Sequence, residues 1–482
     1  MNYYKQYING KFIKSSSKDF IDVINPAKEN VIGKIPSGSI EDTQKAIEAA
    51  KRAQKEWSNL AAIERARYLR SMSKKIKDNV DDLATIVAKE QGKMLSAAKN
   101  EVSFSAEYLE YIAGWARKYE GEILPSDRRN ENIFIYKKPL GVIAEILPWN
   151  FPFLLIIRKA APALLTGNTI VMKPSSKTPI CAFEFIKLIE DLKLPNGVFN
   201  MISGSGSVVG SELSLNSKVS MISCTGSIEA GQKIMKNAAK NINKVSLELG
   251  GNAPAIVMDD ADLELAAQSI KDSRINNTGQ SCNAAERVYV HKDVANEFNK
   301  LLTQDMKNTT IGDPLKDNAD MGPLISKEAL ENINSLVNQA VDHGAKVTTG
   351  GKRSTRLDTG FYYEPTVLVN CKQNMDIVQK EIFGPVIPVV IINNLDEAIE
   401  MANDSEYGLS SSLYTNNLDV TLRVSNELEY GETYVNRENL EALQGHHAGW
   451  KKSGIGGEDG KHGLEEYLQT RVVYMEYDKE RQ

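Results

Sequence analysis

Residues 141–172 read GVIAEILPWNFPFLLIIRKAAPALLTGNTIVM, and this stretch contains the pattern that determines the fold. A strand-like apolar run (142–147) precedes an apolar stretch of helical length (157–165), and a second strand-like run (169–172) follows. The same alternation continues to residue 223, and a second series of such runs extends from residue 255 to residue 414. Strands that alternate with helices pair in parallel, with helices on both faces of the sheet. The sequence therefore predicts an α/β fold with doubly wound parallel sheets.

The length and charge of the chain exclude several classes of protein. At 482 residues it is too long for one hydrophobic core and should form two or three subdomains. Its 58 basic and 63 acidic residues are mixed along the sequence and leave a net charge of −5. Without a basic stripe, neither nucleic acid nor an anionic membrane is expected as the main partner. The N-terminal residues lack the apolar core of a signal peptide, so we expect a soluble, cytoplasmic protein.

The four cysteines and five histidines show no spacing that is typical of a metal site. Because no two cysteines form a CxxC pair, free thiols in a reducing compartment are expected, with neither a metal nor a disulfide framework. Cys181, Cys224 and Cys371 adjoin aliphatic residues, which indicates core positions. Cys282 differs from these three in its surroundings.

Cys282 lies in GQSCN (279–283), among amides and a glycine. These neighbours favour a reactive thiol, and the alternative is a small buried core residue. Upstream, VSLELGG (245–251) is an apolar strand that ends in Glu248 and two glycines. A carboxylate beside a flexible Gly-Gly pair is a candidate general base, and the alternative is an edge or interface glutamate. Thiol and carboxylate together indicate covalent acyl chemistry.

Three further motifs are candidate ligand-binding segments. PWNFP (148–152) is a rigid turn that presents Asn150 as an amide donor for an oxyanion, unless it serves packing alone. KPSS (173–176) places Lys173 at the carboxyl end of a strand, where α/β sheets bind ligands, although a solvated loop lysine is the alternative. TGSIEAG (225–231) follows a strand and opens a helix, which suits a phosphate, but its glycine spacing differs from the dinucleotide fingerprint.

These motifs, together with EIFGP (381–385), occur in the order and spacing of one family. The chain resembles the NAD(P)-dependent aldehyde dehydrogenase superfamily over nearly its whole length. The runs ETYVNREN (432–439) and QGHHAGW (444–450) look most like the lactaldehyde/glycolaldehyde dehydrogenase branch. The resemblance implies two doubly wound parallel-sheet domains, a Rossmann-like cofactor domain and a catalytic domain, with a β oligomerisation arm.

The resemblance also divides the chain into segments. It implies a dinucleotide-binding domain in residues 1–119 and 140–250, a catalytic domain in 251–450, and the arm in 120–139 and 451–482. Two strand-like runs, 132–137 and the tail from residue 467, have no partner in either series and fall in the arm. Because unpaired strands invite pairing with another subunit, a homo-oligomer is predicted, either a tetramer or a dimer.

The resemblance implies roles for individual residues. Cys282 would attack the aldehyde, Asn150 would stabilise the oxyanion, and Glu248 would activate the water that hydrolyses the thioester. Lys159 would be a supporting polar residue. The implied cofactor contacts are Lys173, Ser175, Ser176, Gly226, Ser227, Trp149, Glu381 and Phe383. NAD-specific relatives usually carry a glutamate where this chain has Ser176, so we predict NAD as the cofactor, with tolerance of NADP.

The predicted substrate is a small hydroxyaldehyde such as lactaldehyde or glycolaldehyde, oxidised to the carboxylic acid. Arg158 would line the substrate tunnel, with His447 and His446 as further polar contacts. The alternative for Arg158 is a salt bridge within the subunit.

Several alternatives for the whole chain stay open. They are a succinate-semialdehyde-type or broad-specificity enzyme, a CoA-acylating enzyme, a cofactor-free cysteine hydrolase or acyltransferase, and a non-catalytic protein. Glu248 disfavours the CoA-acylating enzyme, because a hydrolytic base there would compete with CoA.

Overall fold

The computed structural model describes residues 2–316 and 318–477, so Met1, Asp317 and residues 478–482 of the predicted arm lie outside the description. In chain order its strands are β1 (Asn2–Tyr3), β2 (Gln6–Ile8), β3 (Lys11–Ile13), β4 (Phe20–Asn25), β5 (Asn30–Pro36), β6 (Glu122–Pro125), β7 (Glu131–Pro139), β8 (Val142–Ile146), β9 (Thr169–Lys173), β10 (Phe199–Met201), β11 (Met221–Thr225), β12 (Lys244–Glu248), β13 (Ala253–Val257), β14 (Ala285–His291), β15 (Lys346–Thr349), β16 (Thr366–Val369), β17 (Val386–Ile392), β18 (Ser410–Tyr414), β19 (Glu432–Val435), β20 (Gly454–Ile455) and β21 (Leu468–Glu476).

The α-helices are α1 (Ile40–Asn59), α2 (Ala62–Lys77), α3 (Val80–Gln91), α4 (Leu95–Gly114), α5 (Pro152–Leu165), α6 (Ile180–Ile189), α7 (Ser211–Leu215), α8 (Ile228–Ala238), α9 (Leu263–Ile275), α10 (Ala295–Asn308), α11 (Lys327–Asp342), α12 (Asp376–Gln379), α13 (Leu395–Asn403), α14 (Leu418–Glu427) and α15 (Gly460–Glu465). Helix α5 begins five residues earlier than the apolar pattern predicts (157 minus 152), at Pro152 of the PWNFP turn. Proline suits this position because its fixed φ is helical and its missing N–H would be unpaired in any case.

The first large sheet has the order β20-β12-β11-β8-β9-β10-β2-β3. Strands β12, β11, β8, β9 and β10 run parallel, and antiparallel strands close both edges. Val142 of β8 packs in the core cluster that contains α1, whereas the next residue, Ile143, packs in the cluster that contains α5 and α6. Helices therefore cover both faces of this sheet, as the alternating pattern predicts.

The second large sheet has the order β15-β16-β17-β14-β13-β18-β19. All its neighbouring pairs are parallel except β15 with β16, so the run at 346–348 is an antiparallel edge strand within the predicted parallel series. Helices α9 and α10 pack on one face and α11 and α13 on the other. The prediction of two doubly wound parallel-sheet units is confirmed.

The two strand-like runs without partners in the sequence pair with each other. β21 and β7 form a nine-residue antiparallel ladder from Leu468–Pro139 to Glu476–Glu131, and β6 adds to the other edge of β7. β20 belongs to the first large sheet, on β12, so residues 454–455 lie there and not in the predicted arm. β1, β5 and β4 form a separate small sheet. Among the described helices, none combines the length and the apolar character needed to cross a membrane.

A buried carboxylate on α4 holds the start of α5. Glu101 Oε1 accepts hydrogen bonds from the backbone N–H groups of Phe153 (2.9 Å) and Leu154 (3.0 Å). Its other oxygen pairs with Lys93 Nζ at 2.5 Å, and both side chains are almost fully buried. The carboxylate thus satisfies amides that the first turn of a helix leaves free. Helix α5 carries Arg158 and Lys159, so this contact also positions the site described below.

We expect Glu101→Ala to destabilise the protein by about 3–5 kcal/mol, because it leaves the Lys93 ammonium buried without its counter-charge. Chemical denaturation followed by circular dichroism measures the loss. Glu107→Ala is the matched control, since Glu107 is an exposed glutamate on the same helix. Equal losses in the two variants would contradict the importance of the buried pair.

Candidate active site

A cavity of about 360 Å³ brings residues from both large sheets together. It contains three of the four predicted catalytic residues, Cys282, Glu248 and Asn150, and two of the predicted substrate residues, Arg158 and His447; Lys159 does not line it. The remaining lining residues are Lys93, Ala97, Asn100, Glu101, Phe104, Phe151, Leu154, Leu155, Thr225, Asn276, Ser281, Asn283, Asn439, Leu440, Glu441 and Glu458.

Cys282 follows a segment of left-handed backbone. Asn277, Thr278 and Gly279 have φ values of 50°, 60° and 73°, an uncommon conformation for a β-branched residue such as threonine. A Cβ atom at Gly279 would lie 2.3 Å from the carbonyl oxygen of Gly384, so only glycine fits there. Backbone strain of this kind persists where the surrounding structure holds it, and it commonly marks functional sites. Here it places the thiol at the cavity wall.

Asn150 is held beside this segment through its backbone and its side chain. The Asn277 side chain donates to the carbonyl oxygens of Asn150 (2.9 Å) and Gln280 (3.1 Å). The Asn150 amide donates one hydrogen bond to the same Gln280 oxygen at 3.1 Å. An amide nitrogen carries two hydrogens, so Asn150 retains a second donor for a ligand in the cavity.

Glu248 lies at the end of β12, and neither of its carboxylate oxygens has a hydrogen-bond partner among the described residues. Burial raises its pKa to about 8, although the nearby charge of His447 works against this rise. His447 Nε2 is 3.7 Å from Glu248 Oε2. A carboxylate with this pKa is matched to proton transfer near neutral pH.

Two adjacent cations of α5 bind carboxylates from the C-terminal part of the chain. The guanidinium of Arg158 pairs with Asp459, with Glu458 at 3.2 Å and with Glu441 at 3.3 Å. Lys159 Nζ pairs with Glu458 and donates to Ser223 Oγ at 3.0 Å. The salt bridge considered as the alternative for Arg158 is therefore present, although Arg158 still lines the cavity.

The two adjacent histidines have different environments. His447 is buried in the cavity wall, with Nδ1 3.2 Å from Glu432 Oε1. His446 is exposed and does not line the cavity, and its ring lies 5.2 Å from that of His462. The structure thus does not bring His446 to the site, because side chains of consecutive residues in this extended segment point in opposite directions.

A second group of polar residues lies at the carboxyl edge of the first sheet. Lys173 ends β9, and it is in register with Ile146 and Cys224 of the neighbouring strands. Its buried Nζ donates to the carbonyl oxygen of Pro174 at 3.3 Å, and burial lowers its pKa to about 8. The hydroxyl of Thr225 is also buried, without a hydrogen-bond partner among the described residues.

Helix α8 begins at this edge. Ser227 is its N-cap, and its oxygen accepts a hydrogen bond from the Ala230 N–H at 3.3 Å. Gly231 allows the helix to pack against Leu249, since a Cβ there would lie 2.6 Å from that side chain. At Gly226 a Cβ would make only ordinary contacts. A free helix N-terminus beside a buried ammonium suits the phosphates and ribose hydroxyls of a dinucleotide.

Glu381 reaches the Gly250-Gly251 turn from the second sheet. Its carboxylate accepts from the Gly251 N–H at 3.0 Å, and a Cβ at Gly250 would lie 2.5 Å from its other oxygen. Trp149 and Phe383 pack edge to face with ring centroids 5.5 Å apart. Glu381, Trp149 and Phe383 are the residues predicted to border the nicotinamide. Glu381 contacts the glycine turn that comes directly after the strand end carrying Glu248.

Ser175 and Ser176 follow Lys173 and are half-buried. Ser176 donates to the carbonyl oxygen of Gly204 at 3.0 Å, and Ser175 accepts from the Lys177 N–H at 3.2 Å. Ser176, which is uncharged, stands at the position where a glutamate is expected in NAD-specific relatives. The next residue is the exposed Lys177. The local charge at this point does not oppose a 2′-phosphate.

Several lining residues were missed by the sequence reasoning. Glu441 and Glu458 bind Arg158, Lys93 lies between α3 and α4, and Phe104 lies on α4. Glu432 does not line the cavity itself but faces His447. Glu432 begins the segment 432–439, and Glu441 lies between that segment and 444–450. Both segments carry the resemblance to the lactaldehyde/glycolaldehyde dehydrogenase branch, so their position in the sequence could have identified these two residues. For Glu458 the sequence contains no local sign, because its partners Arg158 and Lys159 are remote along the chain.

The comparisons with known proteins agree with this geometry. The aldehyde dehydrogenase family matches residues 12–473. The lactaldehyde dehydrogenase of Escherichia coli (strain K12) is 55% identical over 471 residues, 98% of each chain, and its crystal structure superimposes with a TM-score of 0.97 over 99% of this chain and 100% of that one. A structure of 3,6-anhydro-L-galactose dehydrogenase in complex with NAP is 44% identical, with a TM-score of 0.96 over 98% of this chain and 100% of that one. The D-glyceraldehyde dehydrogenase (NADP(+)) of Picrophilus torridus is 41% identical over 478 residues, 98% of this chain and 97% of that one.

A half-buried thiol and a buried carboxylate share one cavity, beside a sheet edge whose polar groups suit a dinucleotide, and this combination is the one expected of an oxidoreductase. The chain belongs to the aldehyde dehydrogenase family and is an NAD(P)-dependent aldehyde dehydrogenase. The resemblance stated from the sequence is confirmed.

Proposed function

We propose that this enzyme oxidises a small hydroxyaldehyde, such as lactaldehyde or glycolaldehyde, to the carboxylic acid. The observation that carries the proposal is the polar wall beside Cys282, formed by Arg158, Glu441 and His447. Such a wall supplies donors and acceptors to a hydroxyl next to the aldehyde. The lactaldehyde dehydrogenase of Escherichia coli (strain K12), at 55% identity, supports the same assignment.

The charges of the wall favour a neutral substrate over a semialdehyde that carries a carboxylate. Arg158 is already compensated by three carboxylates, Glu441, Glu458 and Asp459. The other cation of the wall, Lys93, is paired with Glu101. A substrate carboxylate would therefore meet no unpaired lysine or arginine among the described lining residues, and it would lose its hydration without compensation.

The residues around the thiol have complementary roles in the proposed reaction. The Cys282 thiolate attacks the aldehyde carbon and forms a thiohemiacetal, and Asn150 with the Cys282 backbone N–H donates to the oxyanion. A bound dinucleotide supplies the hydride acceptor that leaves a thioester on Cys282. Glu248 then takes a proton from the water that attacks this thioester. Lys159 holds Glu458, which also pairs with Arg158.

For the dinucleotide, we propose that Lys173 binds the adenosine ribose, Ser227 the pyrophosphate and Glu381 the nicotinamide ribose. The buried, uncompensated ammonium of Lys173 supports its part of this assignment. Ser175, Ser176 and Gly226 would border the adenosine side, and Trp149 and Phe383 the nicotinamide side. NAD is the proposed cofactor, with tolerance of NADP because of Ser176.

We also propose that the arm sheet joins subunits of a homo-oligomer in the cytoplasm. Its exposed apolar side chains support this, among them Ile123, Val472 and Tyr474, which are 67%, 45% and 66% exposed in the single chain. β21 and β6 are edge strands of the arm sheet, and unpaired edges favour addition of another chain.

The substrate proposal predicts a preference for lactaldehyde over propionaldehyde, which differs only in lacking the 2-hydroxyl. We expect at least about tenfold in kcat/KM, or ~1.4 kcal/mol, because the analogue leaves buried polar groups unpaired. Glu441→Gln should reduce this preference while Glu438→Gln, a neighbour that does not line the cavity, should retain it. A panel of lactaldehyde, glycolaldehyde, succinic semialdehyde and a long-chain aldehyde checks the assignment, and a higher kcat/KM for succinic semialdehyde would contradict it.

The cofactor proposal predicts measurable activity with both NAD and NADP. We expect Ser176→Glu to lower kcat/KM for NADP by at least about tenfold, because its carboxylate would repel the 2′-phosphate. Ser176→Ala adds no charge and serves as the control, which should leave the ratio of the two cofactors nearly unchanged. A preference of wild-type enzyme for NAD above about 10³-fold would contradict NADP tolerance.

The pKa of Glu248 predicts how turnover depends on pH. Only the ionised carboxylate accepts a proton, so kcat should rise with pH and reach half of its plateau value near pH 8. Glu248→Gln should show one rapid turnover of NADH formation followed by slow thioester hydrolysis, which stopped-flow absorbance detects. A Glu248→Gln enzyme with wild-type steady-state turnover would show that another group activates the water.

A further inference from the structure

His447 contacts the nucleophile as well as the predicted substrate wall. Its imidazole is buried in the wall of the cavity that Cys282 also lines, and the two side chains are close enough for a hydrogen bond between them to influence the pKa of both. On the opposite side of the ring, Nδ1 is 3.2 Å from Glu432 Oε1. Carboxylate, imidazole and thiol thus stand in the order in which cysteine and serine hydrolases arrange their nucleophile and its base.

We propose that His447 is the general base that takes the proton of the Cys282 thiol, with Glu432 as the residue that positions its ring. The proposal rests on the proposed function, in which Cys282 is the nucleophile that attacks the aldehyde. It assigns the two proton transfers of the reaction to different groups: His447 serves the thiol, and Glu248 serves the water.

The ring of His447 is fixed by contacts on three sides. Its backbone pairs with Glu458 in both directions, at 2.9 Å and 2.7 Å. The Glu432 carboxylate that faces Nδ1 is itself held by a hydrogen bond from the Tyr434 hydroxyl at 2.9 Å. With Nδ1 turned to Glu432, Nε2 faces the cavity, where Glu248 Oε2 lies 3.7 Å away. A ring held in this way keeps one nitrogen for the thiol proton.

The charges around His447 come from several elements. Carboxylates face it from β12 (Glu248), from β19 (Glu432), from the segment after β19 (Glu441) and from the segment between β20 and α15 (Glu458 and Asp459). The cation Arg158 faces it from α5, and the neighbouring Lys159 pairs with Glu458. Burial alone lowers the pKa of His447, but Glu432 outweighs this together with the Cys282 hydrogen bond and raises it well above the ordinary value. Burial raises the pKa of Cys282, and the hydrogen bond and charge of His447 oppose that rise. The imidazolium that forms when His447 takes the thiol proton is therefore the local cation that stabilises the thiolate.

The proton and the electrons balance over the cycle. The proton moves from Cys282 Sγ to His447 Nε2, the sulfur lone pair forms the C–S bond, and the carbonyl π pair moves to the oxygen. When water later breaks the C–S bond of the thioester, the sulfur leaves as a thiolate and recovers its proton from the imidazolium. Between these two steps the carbon loses its hydride, for which a bound dinucleotide would be the acceptor, and the electron pair on the oxygen re-forms the C=O bond of the thioester. Glu248 accepts the proton of the attacking water and releases it to solvent before the next turnover.

Alkylation of the enzyme by iodoacetamide, without cofactor or aldehyde, tests the pair directly. The second-order rate constant is measured from pH 5 to 10 for wild type, His447→Asn, His447→Gln and Glu432→Gln. We expect both His447 variants to shift the midpoint upward by about one pH unit or more and to lower the rate at pH 7 about tenfold, because the thiolate loses its cation. Glu432→Gln should shift the midpoint in the same direction by less. His462→Asn, a change at an exposed histidine of α15, should match wild type.

A second measurement separates a base from a substrate contact. With propionaldehyde, which has no hydroxyl to bind, the His447 variants should lose as much of the NADH burst rate as they lose with lactaldehyde. Loss with lactaldehyde alone, or an unchanged alkylation profile in folded His447→Asn and His447→Gln, would overturn the proposal. Alkylation requires no aldehyde oxidation, so a shifted profile in an enzyme that fails to oxidise hydroxyaldehydes would contradict the proposed substrate and leave the pair intact.

Discussion

The buried ion pairs between α5 and the C-terminal part of the chain are the constraint on which the site depends. Arg158 and Lys159 are adjacent on α5 and almost fully buried, and their carboxylate partners lie 283 to 301 residues further along the chain. Two buried cations without counter-charges would cost several kcal/mol each. The native fold therefore requires the C-terminal segment to close over α5, and that closure also brings His447 to the cavity.

Backbone amides and carboxylates position the same site from the other directions. Glu101 holds the first turn of α5, Glu90 accepts from the first two amides of α6, and Glu286 accepts from the amides of Ile382 and Phe383. Each carboxylate is buried and binds a segment remote in sequence. Because charge-assisted hydrogen bonds are short and directional, these contacts fix the starts of α5 and α6 and the turn directly after Glu381.

The chemistry at the cavity depends on burial as much as on residue identity. Glu248 and Lys173 both have a pKa near 8 because burial disfavours their charged forms. Glu145 of β8 is a further buried carboxylate, with no hydrogen-bond partner for either oxygen among the described residues, and burial raises its pKa well above the ordinary value. The first sheet thus tolerates ionisable groups in its interior where Lys159 is near to compensate them.

Much of the fold and the centre of the site follow from the sequence by itself. Apolar runs of strand and helix length at 141–172 specify parallel strands covered on both faces, and Cys282, Glu248 and Asn150 stand in motifs distinctive enough to be recognised locally. The sequence placed the ends of elements less exactly: α5 starts at Pro152, five residues before the apolar stretch that predicts it (157 minus 152). Only the tertiary structure decided the partners of Arg158, the separation of His447 from His446, and the contacts of Glu432, Glu441 and Glu458. The contacts of Arg158 are ion pairs between buried residues that lie nearly 300 positions apart in the chain. No local sequence pattern predicts such a pair, because each charge is stabilised by its partner only after folding has buried both of them.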